Sequence, residues 1–137
     1  MLKLEIPNNI SERMIAQAKA EIPIEACGIL AGKDGVVEKF YEMTNADNSN
    51  DHFTMTPQEQ FKVAKDIRAA GIEMLAIYHS HPETGARPSR EDIRLALTPD
   101  VIYVIVSLEK AEPVIKGFII EDNSVTEAIV EIKVEQQ

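Results

Sequence analysis

Apolar residues recur along this chain with two periods, and the switches between those periods mark out its elements. Residues 2–6 alternate weakly and predict a short first strand, after which Ile10, Met14, Ile15 and Ala18 fall on one face of a helix spanning residues 10–20. Pro23 stops that helix, and the apolar run 25–31 predicts a buried strand. Asp34-Gly35 is a hairpin turn signal leading into a strand over 36–43, so these two strands should pair antiparallel. Residues 44–52 are almost all polar turn formers and predict a loop. A short strand is expected over 53–55. Thr56-Pro-Gln-Glu59 then has the form of a capping box with proline at the first helical position. It opens a helix expected to carry Phe61, Ala64, Ile67 and Arg68 across its turns and to end at Gly71.

Residues 72–78 read as a largely buried strand, and Ser89 begins a segment over 89–97 with helical apolar spacing. The β-branched run 101–108 is typical of a central strand, and 114–121 and 125–134 alternate enough to be the last two. The order strand–helix–hairpin–helix–strand–helix–strands predicts an α/β domain with a mixed β-sheet flanked by helices, one domain over residues 1–137.

Composition narrows the function classes. The chain is 45% apolar and 27% charged, with no apolar run of membrane-spanning length and no signal-peptide pattern at its start, so the cytosol is expected and the membrane is not. A net charge of −9 argues against nucleic-acid binding, which needs Lys and Arg to neutralise phosphates. The single cysteine, Cys27, excludes an intramolecular disulfide and any multi-cysteine zinc cluster. In an apolar strand it reads as an inert core thiol. The one-cysteine count also excludes the zinc deaminase signature.

The candidate chemistry gathers in residues 77–92. His79 and His81 lie two apart at the end of a strand and so face the same way. Pro82, Gly85 and Pro88 break regular structure, and Asp92 falls in the first turn of the next helix. Two imidazoles and a carboxylate leave a fourth tetrahedral position for water, the mark of a catalytic zinc. These ligand types also suit iron or manganese. His52 has no partner at ligand spacing and is expected in solvent. Ser89 is both an N-cap and a possible hydrogen-bond donor, because a capping oxygen accepts through lone pairs and keeps its own hydrogen. The residues alone leave Glu21, Glu25, Glu83 and Glu91 equal as general base.

Read together, Pro23-x-Glu-x-Cys-Gly28 and His79-Ser-His-Pro82, six residues, Ser89, two residues, Asp92 resemble the JAMM (MPN-plus) metallopeptidases. The resemblance runs on through the asparagine-rich loop to Phe53 and Pro57, and through residues 103–108. It implies a fold similar to the cytidine-deaminase-like architecture, with Zn²⁺ on His79, His81 and Asp92, Glu25 as general base and Ser89 as oxyanion donor. Ser80 matches the small hydroxylic residue between the histidines; alternation points it away from the metal, into packing. The family acts on C-terminal tails of ubiquitin-like proteins. This short chain looks like its compact prokaryotic branch, which removes cysteine or other adducts from sulfur-carrier proteins. An extended tail is expected to add to a sheet edge. The alternative is a non-catalytic MPN-type interaction domain that binds such a tail.

Overall fold

A computed structural model describes residues 3–134; Leu2, expected in the first strand, lies outside the described residues. The elements follow in the expected order: β1 (Lys3–Pro7), α1 (Asn8–Glu21), β2 (Cys27–Lys33), β3 (Val36–Met43), α2 (Pro57–Ala70), β4 (Glu73–His81), α3 (Arg90–Arg94), β5 (Ile102–Ser107), β6 (Val114–Glu121) and β7 (Ser124–Lys133). The sheet is mixed. Its order is β1-β3-β2-β4-β5-β6-β7, with β1–β7, β1–β3 and β4–β5 parallel and the other pairs antiparallel.

Because β1 pairs with both β3 and β7, the sheet closes into a barrel, although β1 and β3 register only at Glu5↔Val36. β4 is flanked by β2 and β5, so no tail adds beside the strand that carries the histidines, while β3 meets β1 only at Val36 and its outer side beyond that point has no strand partner among the described residues. No described helix is long and apolar enough to cross a membrane.

Alternation along β2 and β4 divides the core. Leu30, Ala76 and Tyr78 face α1, where Ile10, Met14 and Ala18 pack with Leu4, Ile6, Phe40 and Val104. Cys27, Ile29 and Ala31 face the other way, towards Val63 and Ile67 of α2. Gly28 sits where β2 is squeezed: a Cβ there would lie 2.7 Å from the Tyr41 carbonyl oxygen and 2.9 Å from the Phe40 ring.

Four local expectations are corrected. Residues 53–55 form no strand; Phe53 and Met55 pack against the α2-side cluster instead. The buried stripe of α2 is Val63 and Ile67, while Phe61, Ala64 and Arg68 are exposed. Beside that stripe, Asp66 accepts from Lys39 and Tyr41 of β3. Thr56 accepts from the Glu59 N–H, yet the Glu59 carboxylate reaches Thr44 and not back to Thr56, so only half of the capping box forms. The helix after Ser89 stops at Arg94, because the next backbone turns to give the Thr98 N–H to the Tyr103 hydroxyl at 3.0 Å.

Candidate metal centre

β4 runs through the histidines to His81, so both rings project from one face of a strand held on both sides. Between them, Ser80 is fully buried on the opposite face, as alternation requires. Its role is more than packing. The Ser80 hydroxyl oxygen accepts from the Ala26 N–H at 2.8 Å, and the Ser80 N–H donates to the Ala26 carbonyl at 2.9 Å. That double latch fixes the chain immediately after Glu25 against the strand between the two imidazoles.

Glu25 itself is held by its backbone. Its N–H donates to the Ser49 carbonyl at 2.9 Å, and its carbonyl accepts from the Asn45 side-chain amide at 3.0 Å. The buried Asn45 amide also donates to the His52 carbonyl, while its Oδ1 accepts from the N–H groups of Asp47 and Thr54. One asparagine therefore organises the polar loop and ties it to Glu25. Asn45 carried no distinguishing signal in the sequence, because Asn48 and Asn50 stand in the same turn-forming stretch.

The three sequence-predicted ligands converge. His79 Nε2 and His81 Nε2 are 3.1 Å apart, and Asp92 Oδ2 lies 3.1 Å from the first and 3.0 Å from the second. Ligands at about 2.0–2.1 Å around tetrahedral zinc stand about 3.3 Å from one another, so this triangle fits one such ion. His81 Nδ1 is 2.8 Å from the Gly85 carbonyl, an acceptor only, so Nδ1 carries the hydrogen and Nε2 presents its lone pair inward. Asp92 is fixed in turn by the Ser89 N–H at 2.9 Å, and the Ser89 hydroxyl oxygen accepts from the Asp92 N–H at 3.0 Å. This capping box is complete. Phe53 stacks on the His79 ring at 4.9 Å between centroids, a wall the sequence pattern did not reveal.

Glu25 joins the cluster: it, His79 and His81 each offer a ligand atom within 4.8 Å of the others. Glu25 Oε1 and His79 Nδ1 are buried with no hydrogen-bond partner. A buried carboxylate oxygen left unpaired is costly, and its natural complement here is a water or cation among the imidazoles. Burial pushes the Glu25 carboxyl up to about 8; His81 opposes the rise, and Asp92 and Asp51 add to it. For Asp92, burial works upward, but the two imidazoles against it and the Ser89 N–H outweigh it and hold the carboxyl well below its usual range. Burial lowers His79. It also acts to lower His81, whose bonds to Asp92 and Gly85 reverse the direction. The donor set, two imidazoles and a carboxylate held ionised, matches a divalent zinc-type cation.

The other reactive side chains stay outside this chemistry. Cys27 is fully buried in β2, and burial pushes its thiol up to about 12, so it supplies no thiolate. His52 is half-buried, with Asp51 at 2.8 Å from Nδ1 and Asp47 at 3.3 Å from Nε2.

Comparison with known proteins agrees with this architecture. Residues 7–118 match the family described as prokaryotic homologs of the JAB domain. A CysO-cysteine peptidase of Mycobacterium tuberculosis is 39% identical over 132 residues, covering 94% of this chain and 90% of that protein. A desampylase of Pyrococcus furiosus is 34% identical over 84% of this chain and 81% of its own length. Among solved structures, a protein from Desulfitobacterium hafniense superposes with a TM-score of 0.89 at 43% identity, covering 96% of this chain and 94% of that one. A JAB1/MPN domain protein from Archaeoglobus fulgidus shares the fold at a TM-score of 0.62 and 19% identity, over 93% of this chain and 97% of its own. With its α/β barrel and its match over most of its length, the chain belongs to the prokaryotic JAB (JAMM/MPN) domain family.

Proposed function

We propose that this protein is a zinc metallopeptidase that hydrolyses the amide bond joining an adduct to the C-terminal tail of a ubiquitin-like or sulfur-carrier protein, with residues 1–137 working as one catalytic domain. The observation that carries this reading is the triangle of His79 Nε2, His81 Nε2 and Asp92 Oδ2, with edges of 3.0–3.1 Å, beside the unpaired Glu25 Oε1. The relatives' names support the substrate class, since one is called a CysO-cysteine peptidase and another a desampylase.

His79, His81 and Asp92 would hold the ion. Zinc bound there would lower the pKa of a water and polarise the scissile carbonyl. Glu25 takes the proton of the attacking water on its carboxylate and returns it to the departing amine. A carboxyl pushed up by burial suits both steps, and a cation bound nearby would draw it back towards the ionised form. The Ser89 hydroxyl accepts from the Asp92 N–H and so has its hydrogen left to donate to the tetrahedral oxyanion. Asn45 and Ser80 keep Glu25 in register with the strand that bears the imidazoles.

The test combines metal analysis with mass spectrometry of carrier proteins bearing C-terminal adducts. About one zinc per chain is expected, with adduct release by the wild type and a loss of roughly 100-fold or more in Glu25→Gln, which keeps its metal. A protein that binds no metal and holds such a tail uncleaved would be the interaction domain instead, and the proposal would fall.

A further inference from the structure

Beside the metal centre lies a cavity of about 150 Å³ whose lining includes His79 and Asp92. Its floor is the sheet face that bears the histidines, through Ile77 of β4, Ile105 of β5 and Ile120 of β6. Phe53, Leu95 and Tyr103 form its walls. Leu95 is 41% exposed, directly after α3.

Most polar groups around this cavity are engaged, leaving the Thr98 hydroxyl and the Gln60 carbonyl oxygen as its neutral polar fringe. The Tyr103 hydroxyl accepts from the Thr98 N–H at 3.0 Å and donates to the Thr98 carbonyl at 3.3 Å. Gln60 donates its amide to the Met55 carbonyl. Both ring nitrogens of His52 face carboxylates, and Asp92 Oδ2 is bonded to the imidazoles and the Ser89 N–H. Among the described residues, no Lys or Arg lines the cavity. An anionic or strongly polar side chain entering here would lose water and find few partners. An apolar one would gain from burial.

We propose that this cavity is a specificity subsite for an uncharged apolar side chain of about leucine or methionine size, carried by the residue on the amine side of the scissile bond. This rests on the peptidase reading above. The amine side follows from the proposed reaction: the carrier supplies the acyl side through its tail and the adduct supplies the amine, so a subsite that distinguishes adducts receives the residue on the amine side. A leaving residue as small as glycine would leave the cavity unfilled, and an aspartate would set a carboxylate against the apolar surface of Phe53, Ile77, Leu95 and Ile105, where its lost hydration is poorly replaced.

The experiment uses one carrier protein conjugated at its C-terminus to Leu, Met, Gly, Asp or Lys, with kcat/KM followed by mass spectrometry on the zinc-loaded enzyme. The Leu and Met conjugates are expected to exceed Gly and Asp by about tenfold or more. In Ile120→Trp, which fills the floor, the Leu-to-Gly ratio is expected to collapse towards one. Equal rates across the panel, or a preference for Asp, would overturn the subsite and leave the peptidase reading standing. If no conjugate is cleaved, the peptidase reading fails instead. The cavity is then judged by methyl NMR shifts of Ile77, Leu95, Ile105 and Ile120 titrated with leucinamide, glycinamide and aspartate amide. Saturable shifts with leucinamide alone uphold an apolar subsite, and their absence overturns it.

Discussion

Two helices in this protein begin with the same arrangement, a hydroxylic residue followed three positions later by an acid, and they put it to different uses. At α3 the box is reciprocal: Ser89 Oγ accepts from the Asp92 N–H, and Asp92 Oδ2 accepts from the Ser89 N–H. That same oxygen meets both imidazoles. At α2 the threonine half forms, and the Glu59 carboxylate turns outward to accept from the Thr44 N–H at 2.9 Å and the Thr44 hydroxyl at 2.8 Å. The extra methylene of glutamate lets it reach across to the start of the polar loop. The shorter aspartate stays under its own helix start and is presented to the site with little freedom. A capping motif therefore becomes part of a functional centre when its acid is short and buried, and a loop clamp when the acid is long and partly exposed.

Breaking the acid at each helix gives the largest contrast. Asp92→Asn keeps the shape of the cap and removes the charge, and it should lower metal affinity by more than the roughly 10–100-fold typical of losing an outer hydrogen-bond partner. Turnover should fall with it, as read by metal content and adduct release. Glu59→Ala should leave zinc content unchanged. It removes two bonds to a carboxylate at a partly exposed position and should cost about 1–2 kcal/mol, seen as a lower Tm and faster proteolysis within residues 44–52. If Glu59→Ala also strips the metal, the two helix starts are not separable in function.

The contrast also shows which features were legible in the chain and which were not. Local rules carried the outline: β3 was bounded by Asp34-Gly35 and β6 by its alternation, and both match the expected limits. The convergence of His79, His81 and Asp92 was readable because strand alternation and a helix start are short-range patterns. Glu25 was not, since its position depends on β2 pairing Cys27 with His79 and on the Ser80–Ala26 latch, which are long-range contacts. Phe53 looked like strand because it is apolar, but what it packs on is an imidazole ring. Phe61 looked like core because helical periodicity admits several stripes, and only the sheet beneath α2 selects Val63 and Ile67.

Removing the hydroxyls tests the other half of each box. Thr56→Ala should cost about 1 kcal/mol as a lost N-cap, with catalysis unaffected. Ser89→Ala should cost a similar amount in stability and, in addition, reduce kcat by roughly 100-fold through the lost oxyanion donor, with substrate KM changing little. A kcat loss no larger than that of Thr56→Ala would reduce Ser89 to a cap.

The smallest effect lies on the exposed side of α2 and should be visible only in acid. Asp66 accepts hydrogen bonds from the Tyr41 hydroxyl and Lys39, which hold its carboxyl below the usual aspartate range. A folded-state pKa below the unfolded one means the folded form binds protons less tightly. The resulting stability is fully present above the unfolded value, near pH 4, and is lost as pH falls through the folded one. Because Asp66 is exposed to solvent, screening keeps the contribution small. Asp66→Asn should therefore lower Tm slightly at pH 7 relative to the wild type, with the deficit shrinking as pH falls below about 4. The gap between the two should widen as pH rises through the acid range and shrink in high salt. The same substitution should leave zinc content unchanged at every pH, since Asp66 belongs to the clamp side of the molecule and has no bond to the cluster around His79. A pH-dependent loss of metal in Asp66→Asn would show instead that the exposed face of α2 and the buried box of α3 are energetically coupled through the sheet between them.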